Sequence, residues 1–225
     1  MLYIVSTPIG NLKDITLRAI ETLKLVDIVA AEDTRQTKIL LDHYEIQKPI
    51  TSFFDHNQRV KGPRLLETLK EGKSIALVSD AGTPGISDPG YSLIKLAQDN
   101  NIPITVIPGV TAVITALTLS GLPSHRFVFE GFLPPKTVGR CKKLTSLKGQ
   151  DSGTVIFYES PHRILKTLED IQKVFEDPYI VVARELTKMF ENVQKGKASD
   201  IIAHFIAHPP RGEFVVLLNL AQDND

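Results

Sequence analysis

Residues 79–90, with the sequence SDAGTPGISDPG, have the composition of a ligand-binding loop. They include three glycines, two prolines and two aspartates. Glycine allows positive φ and close approach of a ligand to the main chain, while proline fixes the shape of a loop. Carboxylates accept hydrogen bonds from hydroxyl or ammonium groups, and they disfavour a phosphate. A purely structural loop with helix-capping aspartates is the alternative interpretation.

Three further segments place charged residues directly after apolar runs. EDTR occupies residues 32–35, ESPHR residues 159–163 and RELTK residues 184–188. The last two would form one polar cleft if the strands before them were neighbours in a sheet. That cleft would contain Glu159, Arg163, Arg184, Glu185 and Lys188. A solvated surface or a structural ion pair is the alternative for each segment taken singly.

A second elbow from strand to helix is indicated by PGVTA at residues 108–112. The free N–H groups of a helix start can contact a ligand there, although a simple turn would have the same sequence. Other sites find no support. Neither GxxxxGK[ST] nor a GxGxxG after the first strand is present, and no GxSxG elbow occurs. One cysteine and dispersed histidines give no zinc-ligand spacing. We therefore expect a cationic or neutral polar ligand and no metal.

Apolar runs of strand length indicate the elements that position these motifs. Buried strands are predicted at residues 2–6, 27–31, 74–79 and 104–107. Helical patterns lie between them, so strands and helices alternate, as in an α/β fold with a mostly parallel sheet. Ligands of such sheets bind beyond the carboxyl ends of the strands, which is where the motifs of this half lie.

The pattern changes after Leu122-Pro123, where we expect a second α/β domain. Its predicted elements are strands at 127–132, 154–158, 180–184 and 214–220 and a helix at 161–175. Residues 134–153 are expected to be a basic, loop-rich stretch with Lys136, Arg140, Lys142, Lys143 and Lys148. The predicted domains are 1–120, an N-terminal α/β domain, and 121–225, a C-terminal α/β domain.

Composition narrows the class of protein. The 225 residues include 26 basic and 26 acidic side chains, so no whole-chain attraction to nucleic acid is expected, while a local basic patch is compatible with this balance. The single cysteine excludes an intramolecular disulfide and fits a reducing compartment. No apolar run has the length of a membrane span, and the N-terminus resembles a strand more than a signal peptide. A cytoplasmic location is the expectation.

Seven motifs in a fixed order resemble those of a known family. They are STPIGNLKDITLRA at 6–19, AAEDTRQTKILL at 30–41, SDAGTPGISDPG at 79–90, PGVTAVITAL at 108–117, EGFLP at 130–134, FYESPHR at 157–163 and ARELTK at 183–188. Together they are similar to the small-subunit ribosomal RNA methyltransferase I family, within the tetrapyrrole methylase superfamily. STPIGN, EDTR, SDAGTP, ESPHR and RELTK distinguish this family from its tetrapyrrole-modifying relatives.

The resemblance implies two α/β domains with S-adenosylmethionine in the cleft between them, and a homodimer. It also implies methyl transfer to the ribose 2′-hydroxyl of a cytidine in the decoding centre of 16S ribosomal RNA, in the small ribosomal subunit. The cofactor-binding residues carried over by motif are Pro8, Asp80, Ala81, Gly82, Ile86, Thr111, Ala112, Tyr158 and Leu186. An acid-bearing loop suits this cofactor, because its sulfonium group is cationic.

The catalytic candidates follow from the proton that the hydroxyl must lose. They are Lys188, Glu159, Glu32 and Arg35. In this hypothesis Lys188 or Glu159 handles the proton, while Arg35, Arg163 and Arg184 hold RNA phosphates.

Two other functions remain open at this stage. One is methylation of a tetrapyrrole or another small molecule on the same fold, and the other is a non-catalytic module that binds the cofactor or RNA. Longer members of the family have an additional C-terminal helical segment. For this chain we expect the basic residues 136–148 and the dimer surface to contact RNA in its place.

Overall fold

A computed structural model of the protein describes residues 1–148 and 153–220. The chain divides into two compact α/β units, Met1–Thr111 and the residues from Ala112 onward. Among the described residues, no helix combines the length and the apolar character needed to cross a membrane.

The first unit is a five-stranded parallel sheet with the strand order β3-β2-β4-β1-β5. Its strands are β1 (Leu2–Val5), β2 (Ile28–Ala31), β3 (Ile50–Ser52), β4 (Ile75–Val78) and β5 (Ile104–Ile107). Its helices are α1 (Leu17–Leu25), α2 (Thr34–His43), α3 (Gln58–Lys70) and α4 (Tyr91–Asp99), with a short 3₁₀ turn at Leu12–Asp14. The expected alternation of strands and helices is confirmed for this unit.

Both faces of this sheet are buried, which explains why its strands are continuous apolar runs. Successive strand residues point to opposite faces. Val78 packs in the core that contains Leu23 of α1 and Leu41 of α2. Its neighbour Leu77 packs in the other core, together with helices α3 and α4. Every strand thus ends at one shared edge of a sheet that is covered on both sides.

The second unit has a mixed sheet with the order β6-β7-β10-β8-β9. Its strands are β6 (Phe127–Phe132), β7 (Thr154–Glu159), β8 (Tyr179–Arg184), β9 (Asn192–Lys197) and β10 (Phe214–Asn219), and its helices are α5 (Ala112–Ser120), α6 (Thr137–Lys148), α7 (Ile164–Phe175) and α8 (Ala198–Ala207). Only β6 and β7 are parallel, while the three other pairs are antiparallel. A mostly parallel sheet is therefore confirmed for the first unit, while the second α/β unit has a mixed sheet.

Helix α6 occupies most of the stretch that was expected to be loop-rich, so that expectation is wrong over its described residues. Residues 149–152 lie outside the described part of the chain. One helix face is buried through Leu144 and Leu147. The same face carries Arg140, whose Nη2 lies 2.6 Å from Oδ2 of Asp170 on α7. Because a buried, paired arginine lies where an apolar residue is usual, the sequence does not show the apolar periodicity of a helix here.

Two other elements of this unit were not expected, the edge strand β9 and helix α8 that follows it. Helix α5 was grouped with the N-terminal domain in the predicted division at residue 120. In the structure it packs on strands β7 to β10 of the second sheet.

Candidate functional site

The loop at residues 79–90 is pinned to the end of β1. The N–H of Thr7 donates to the Gly82 carbonyl at 2.8 Å, and the N–H of Gly82 donates to the Thr7 carbonyl at 3.0 Å. The Thr7 hydroxyl also donates to the Ser79 carbonyl at 3.0 Å. Gly82 has a φ of +79°, in the region that favours glycine. The loop therefore lies beyond the carboxyl ends of β1 and β4 in a fixed conformation.

Gly109 in the PGVTA motif allows a close approach between the ends of β1 and β5. A Cβ atom at Gly109 would lie 2.8 Å from the Cβ of Ser6, so any larger residue would separate the two chain segments. Ser6 in turn shares a hydrogen bond of 2.8 Å with the Thr83 hydroxyl. The first, third and fourth of the sequence motifs in chain order thus meet at one sheet edge.

EDTR joins the same edge through backbone contacts with the loop. The N–H of Asp33 donates to Oδ1 of Asp80 at 3.0 Å, and the N–H of Asp80 donates to Oε2 of Glu32 at 3.3 Å. The end of β2 and the loop after β4 are therefore coupled by reciprocal carboxylate–amide hydrogen bonds. The sequence predicted each segment at the end of a strand, and the strand order brings the two ends together.

In the second unit, ESPHR forms a buried ion cluster. The Glu159 side chain is fully buried and accepts hydrogen bonds from the Thr167 hydroxyl at 2.7 Å and the Ser160 N–H at 2.8 Å. Nε of Arg163 lies 3.3 Å from Oε1 of Glu159, and its Nη2 donates to the Leu133 carbonyl at 2.7 Å. ESPHR is thereby tied to the EGFLP segment, which spans the end of β6 and the two residues after it.

RELTK adopts a strained turn after β8. Glu185 and Thr187 have φ values of 50° and 66°, which non-glycine residues rarely adopt. Nζ of Lys188 donates to Oε1 of Glu185 at 2.9 Å and to Oε2 of Glu213 at 2.8 Å. Non-glycine residues keep such conformations only where their surroundings enforce them, often at functional sites. Leu186 between them is buried.

The two charged strand ends of this unit share an edge without being neighbours. Strand β10 lies between β7 and β8 and is antiparallel to both, and Phe214 is opposite Glu159 on one side and Arg184 on the other. The cleft expected from adjacent strands is therefore replaced by two clusters, one at Glu159 and one at Lys188.

Comparison with known proteins places this arrangement in a family. The profile of the tetrapyrrole (corrin/porphyrin) methylases matches residues 1–202. The chain belongs to the tetrapyrrole methylase family. Among relatives, a Haemophilus influenzae protein named ribosomal RNA small subunit methyltransferase I is 50% identical over 97% of this chain and 78% of its own length. A Thermotoga maritima protein of the same name is 46% identical over 97% of both chains.

Solved structures agree on the tetrapyrrole methylase fold. A diphthine synthase aligns with a TM-score of 0.74 at 16% identity, covering 97% of this chain and 89% of its own. A cobalt precorrin-4 methyltransferase aligns with a TM-score of 0.69 at 19% identity, covering 96% of this chain and 93% of its own. Their sequence identity to this chain is 19% or less, so this likeness shows the fold alone.

S-adenosylmethionine is the methyl donor of tetrapyrrole methylases. The carboxylates of Glu32, Asp33 and Asp80, here called the acidic edge of the first unit, suit this cofactor. The cofactor carries a sulfonium, an ammonium and ribose hydroxyls, all of which pair well with carboxylates. Partial burial raises the pKa of Glu32, and the charges of Asp80, Asp55 and Asp33 add to this effect, against the hydrogen bond from the Asp80 N–H. Burial and neighbouring negative charges both disfavour the ionised form of a carboxyl group, and a cationic ligand beside it would favour that form.

Asp88 in the same loop was not among the candidate site residues. Burial raises its pKa to about 7, and the charges of Glu32, Asp80 and Asp55 add to this effect against a hydrogen bond with Ser79. A pKa so far from its ordinary value is typical of functional sites. The sequence signal was the second aspartate of SDAGTPGISDPG, but only the fold brings Glu32 and Asp55 near it.

The other cofactor candidates of the first unit differ in exposure. Pro8 is buried beside the pinned loop, Ala81 and Ile86 are exposed at its surface, and Thr111 is partly buried. Ala112 begins α5 and is counted with the second unit. Tyr158 of the second unit is partly buried and packs edge-on against Phe129, with ring centroids 4.9 Å apart.

The protonation states of the catalytic candidates differ. Partial burial lowers the pKa of Lys188, but its hydrogen bonds to Glu213 and Glu185 outweigh burial and the pKa is raised overall. Arg35 is highly exposed and pairs with Asp33 at 2.6 Å, which raises the pKa of Arg35 and lowers that of Asp33 to about 2. Both side chains are therefore cations at neutral pH. Within the described residues, no group of acids, histidines and cysteines could hold a metal ion.

Proposed function

We propose that this protein transfers the methyl group of S-adenosylmethionine to the ribose 2′-hydroxyl of a cytidine in the decoding centre of 16S ribosomal RNA. The observation that supports the RNA substrate is identity of 46–50% to proteins named ribosomal RNA small subunit methyltransferase I, over nearly the whole chain. The resemblance in motifs supports the cytidine and the 2′-oxygen. A homodimer in the cytoplasm belongs to the same proposal.

The first unit binds the cofactor through the pinned loop and the acidic edge in this proposal. Asp80, Ala81, Gly82 and Ile86 contact it from the loop, and Pro8, three residues after β1, supports the loop. In the second unit, Tyr158 near the end of β7 and the buried Leu186 just after β8 are the proposed cofactor residues. Thr111 and Ala112 add contacts from the PGVTA elbow.

S-adenosylmethionine supplies an activated methyl group, so the protein has to orient the hydroxyl and accept its proton. Of the four catalytic candidates, Glu32 has the properties of a proton acceptor, since it is a partly buried carboxylate with a raised pKa. Glu159 is buried, accepts two hydrogen bonds and forms an ion pair with Arg163, which suits a role in positioning that arginine. Lys188 and Arg35 are protonated cations, which suits contacts to the RNA backbone.

Fewer basic side chains of residues 136–148 are available to contact RNA than the sequence indicated, because three of them pair with acids. Arg140 is buried against Asp170, Lys143 pairs with Glu130 and Lys148 pairs with Glu176. Lys136 and Lys142 are exposed on this segment, and we propose that these two contribute to RNA binding there.

The test of the proposed reaction is incubation with methyl-labelled S-adenosylmethionine and small ribosomal subunits that lack the modification. We expect label in the 16S RNA and none in a porphyrinoid offered in parallel. Label in the porphyrinoid alone would establish the small-molecule reaction instead. Cofactor binding without transfer to either substrate would identify a non-catalytic module.

The role of Glu32 is tested by single-turnover methylation with Glu32→Gln at saturating cofactor and RNA. Loss of a general base lowers the rate by about 10²- to 10⁴-fold, and we expect a loss in this range. Glu21→Gln on the exposed surface of α1 is the matched control, with an expected wild-type rate. A wild-type rate for Glu32→Gln would remove Glu32 from the mechanism.

A further inference from the structure

A cavity beside the RELTK turn has no role in the reaction as proposed above. Its volume is about 460 Å³, within the range of small-ligand sites, about 300–1,000 Å³. It is lined by Arg184 at the end of β8, by residues 189–191, by β9 and by α8. Glu191 in its wall accepts a hydrogen bond of 2.6 Å from the Thr187 N–H, so the cavity and the RELTK turn are joined.

The cavity is lined by unsaturated and polarisable groups. Met189 and Phe190 expose 90% and 65% of their surface. The imidazole rings of His204 and His208 stack at a centroid distance of 4.6 Å with an interplanar angle of 27°. Two adjacent, exposed apolar side chains and a stacked ring pair offer flat surfaces against which another planar group can pack.

The polar groups of the cavity suit the edge of a planar ligand. Asn192 is opposite Arg184 in the β8–β9 ladder, and Gln194 is two residues further along β9, so these side chains share one face of the sheet. Neither side-chain amide makes a hydrogen bond within the described residues, and Nε of Arg184 is buried without a hydrogen-bond partner there. Buried donors are rarely left unpaired.

The charge of the cavity disfavours a phosphate group as its occupant. Arg184 is its one permanent cation, and the Glu191 carboxylate opposes it. A nucleobase combines a flat face with a hydrogen-bonding edge and has no charge of its own. Proteins bind bases of single-stranded RNA by stacking them on aromatic side chains and pairing their edges with polar groups.

We propose that this cavity binds an unstacked nucleobase of the substrate RNA. Phe190 stacks on the base, while Asn192, Gln194 and Arg184 pair with its edge. The inference rests on the proposed function for the RNA substrate. Because Lys188 of the adjoining RELTK turn contacts the RNA backbone in the proposed function, the bound base belongs to the same stretch of RNA, and the cavity contributes to the choice of that stretch.

The test is binding of a fluorescein-labelled single-stranded oligocytidylate of about eight nucleotides, a length within the usual site size. Stacking on one aromatic residue accounts for about 5- to 150-fold in affinity. We expect Phe190→Ala to weaken binding by a factor in this range, Phe190→Tyr to restore it, and Asn192→Ala to weaken it. Tyr179→Ala removes an exposed aromatic residue at the opposite end of β8 and should bind as wild type.

Three results of the binding and molar-mass measurements would overturn the inference. They are unchanged affinity in Phe190→Ala, no measurable binding of the oligonucleotide to the wild-type protein, and a halved molar mass of Phe190→Ala, which would assign the residue to contact with a second copy. The methylation assay separates this inference from the proposed function. Wild-type transfer to small subunits with unchanged KM in Phe190→Ala would leave the function standing and reject the cavity as a base site. RNA binding that depends on Phe190, without methyl transfer by the wild-type protein, would support the base site and reject the proposed reaction.

Discussion

Asp88 has a carboxylate that suits a cationic ligand but whose charge lowers the stability of the folded protein. Its carboxyl is held with a pKa of about 7, against an ordinary value of 3.8, first by burial and then by the charges of Glu32, Asp80 and Asp55. The folded state therefore binds a proton that the unfolded state releases. Between about pH 4 and pH 7 stability falls as pH rises, and a bound cation would offset this loss.

Asp88→Asn removes this pH-dependent cost. We expect the variant to be more stable than wild type by about 1–2 kcal/mol at about pH 8.5, after allowance for solvent screening. Near pH 4 the difference should vanish, because wild-type Asp88 is then protonated. Thermal unfolding across this pH range measures the effect. An equal difference at both pH values would show that the charge of Asp88 is not its cause.

Gly212 packs against the Glu185 side chain of the RELTK turn. Substitution of this glycine tests whether that packing stabilises the protein. A Cβ atom at this position would lie 2.5 Å from Cδ of Glu185, and φ is +89°. We expect Gly212→Ala to lower the free energy of unfolding by about 2–4 kcal/mol. Gly196→Ala is the matched control, since no atom lies within 4 Å of its Cβ. Equal denaturation midpoints for the two variants would contradict this packing.

At the scale of single residues, the sequence predicted where the functional groups lie but not what they contact. EDTR and SDAGTP were each expected at the end of a strand because their strands were recognisable as buried apolar runs. The partners of Glu159 and Lys188, which are Thr167 and Glu213, were not predictable because neither belongs to a motif. Thr167 is positioned by the packing of α7, and Glu213 by the pairing of β10 with its neighbours.

Among the elements, helix α6 depends on one buried ion pair. Nε of Arg140 donates to Oδ2 of Asp170 at 2.7 Å, and Nη1 donates to the Pro135 carbonyl at 3.1 Å. This arginine fixes both the start of α6 and its contact with α7. The sequence indicated a loop here because the arginine interrupts the apolar period of the helix.

Arg140→Met is expected to lower the free energy of unfolding by about 3–5 kcal/mol, because it leaves Asp170 as an uncompensated buried charge. The control is Lys148→Met, which removes a solvent-exposed pair with Glu176 and should cost less than about 1 kcal/mol. Chemical denaturation of both variants gives the comparison. A loss in Arg140→Met no larger than in the control would show that the pair does not stabilise α6.

At the scale of the whole molecule, the parallel sheet was predictable and the mixed sheet was not. Strands of the first unit alternate with helices, and that order leaves few topologies. In the second unit β10 enters between β7 and β8, which are earlier in the sequence. Such an insertion is determined by contacts distant in sequence, and no local pattern records it.

The position of α5 leads to a prediction about the two units. Because this helix packs on β7 to β10, we propose that the second unit begins at Ala112 and not at residue 121. A fragment from residue 112 onward should unfold cooperatively, and one that begins at residue 121 should be less stable or fail to fold. Circular dichroism during thermal unfolding compares them. Equal stability of the two fragments would favour the division at residue 120.

The central claim is the transfer of one methyl group to a ribose oxygen of 16S RNA. It is tested most directly by nucleoside mass spectrometry of that RNA after small subunits react with the wild-type protein and S-adenosylmethionine. The account predicts 2′-O-methylcytidine at a single position, where the modified ribose also blocks alkaline cleavage of the next phosphodiester bond. Methylation of a base, or an RNA that gains no methyl group while the cofactor is bound, would contradict it.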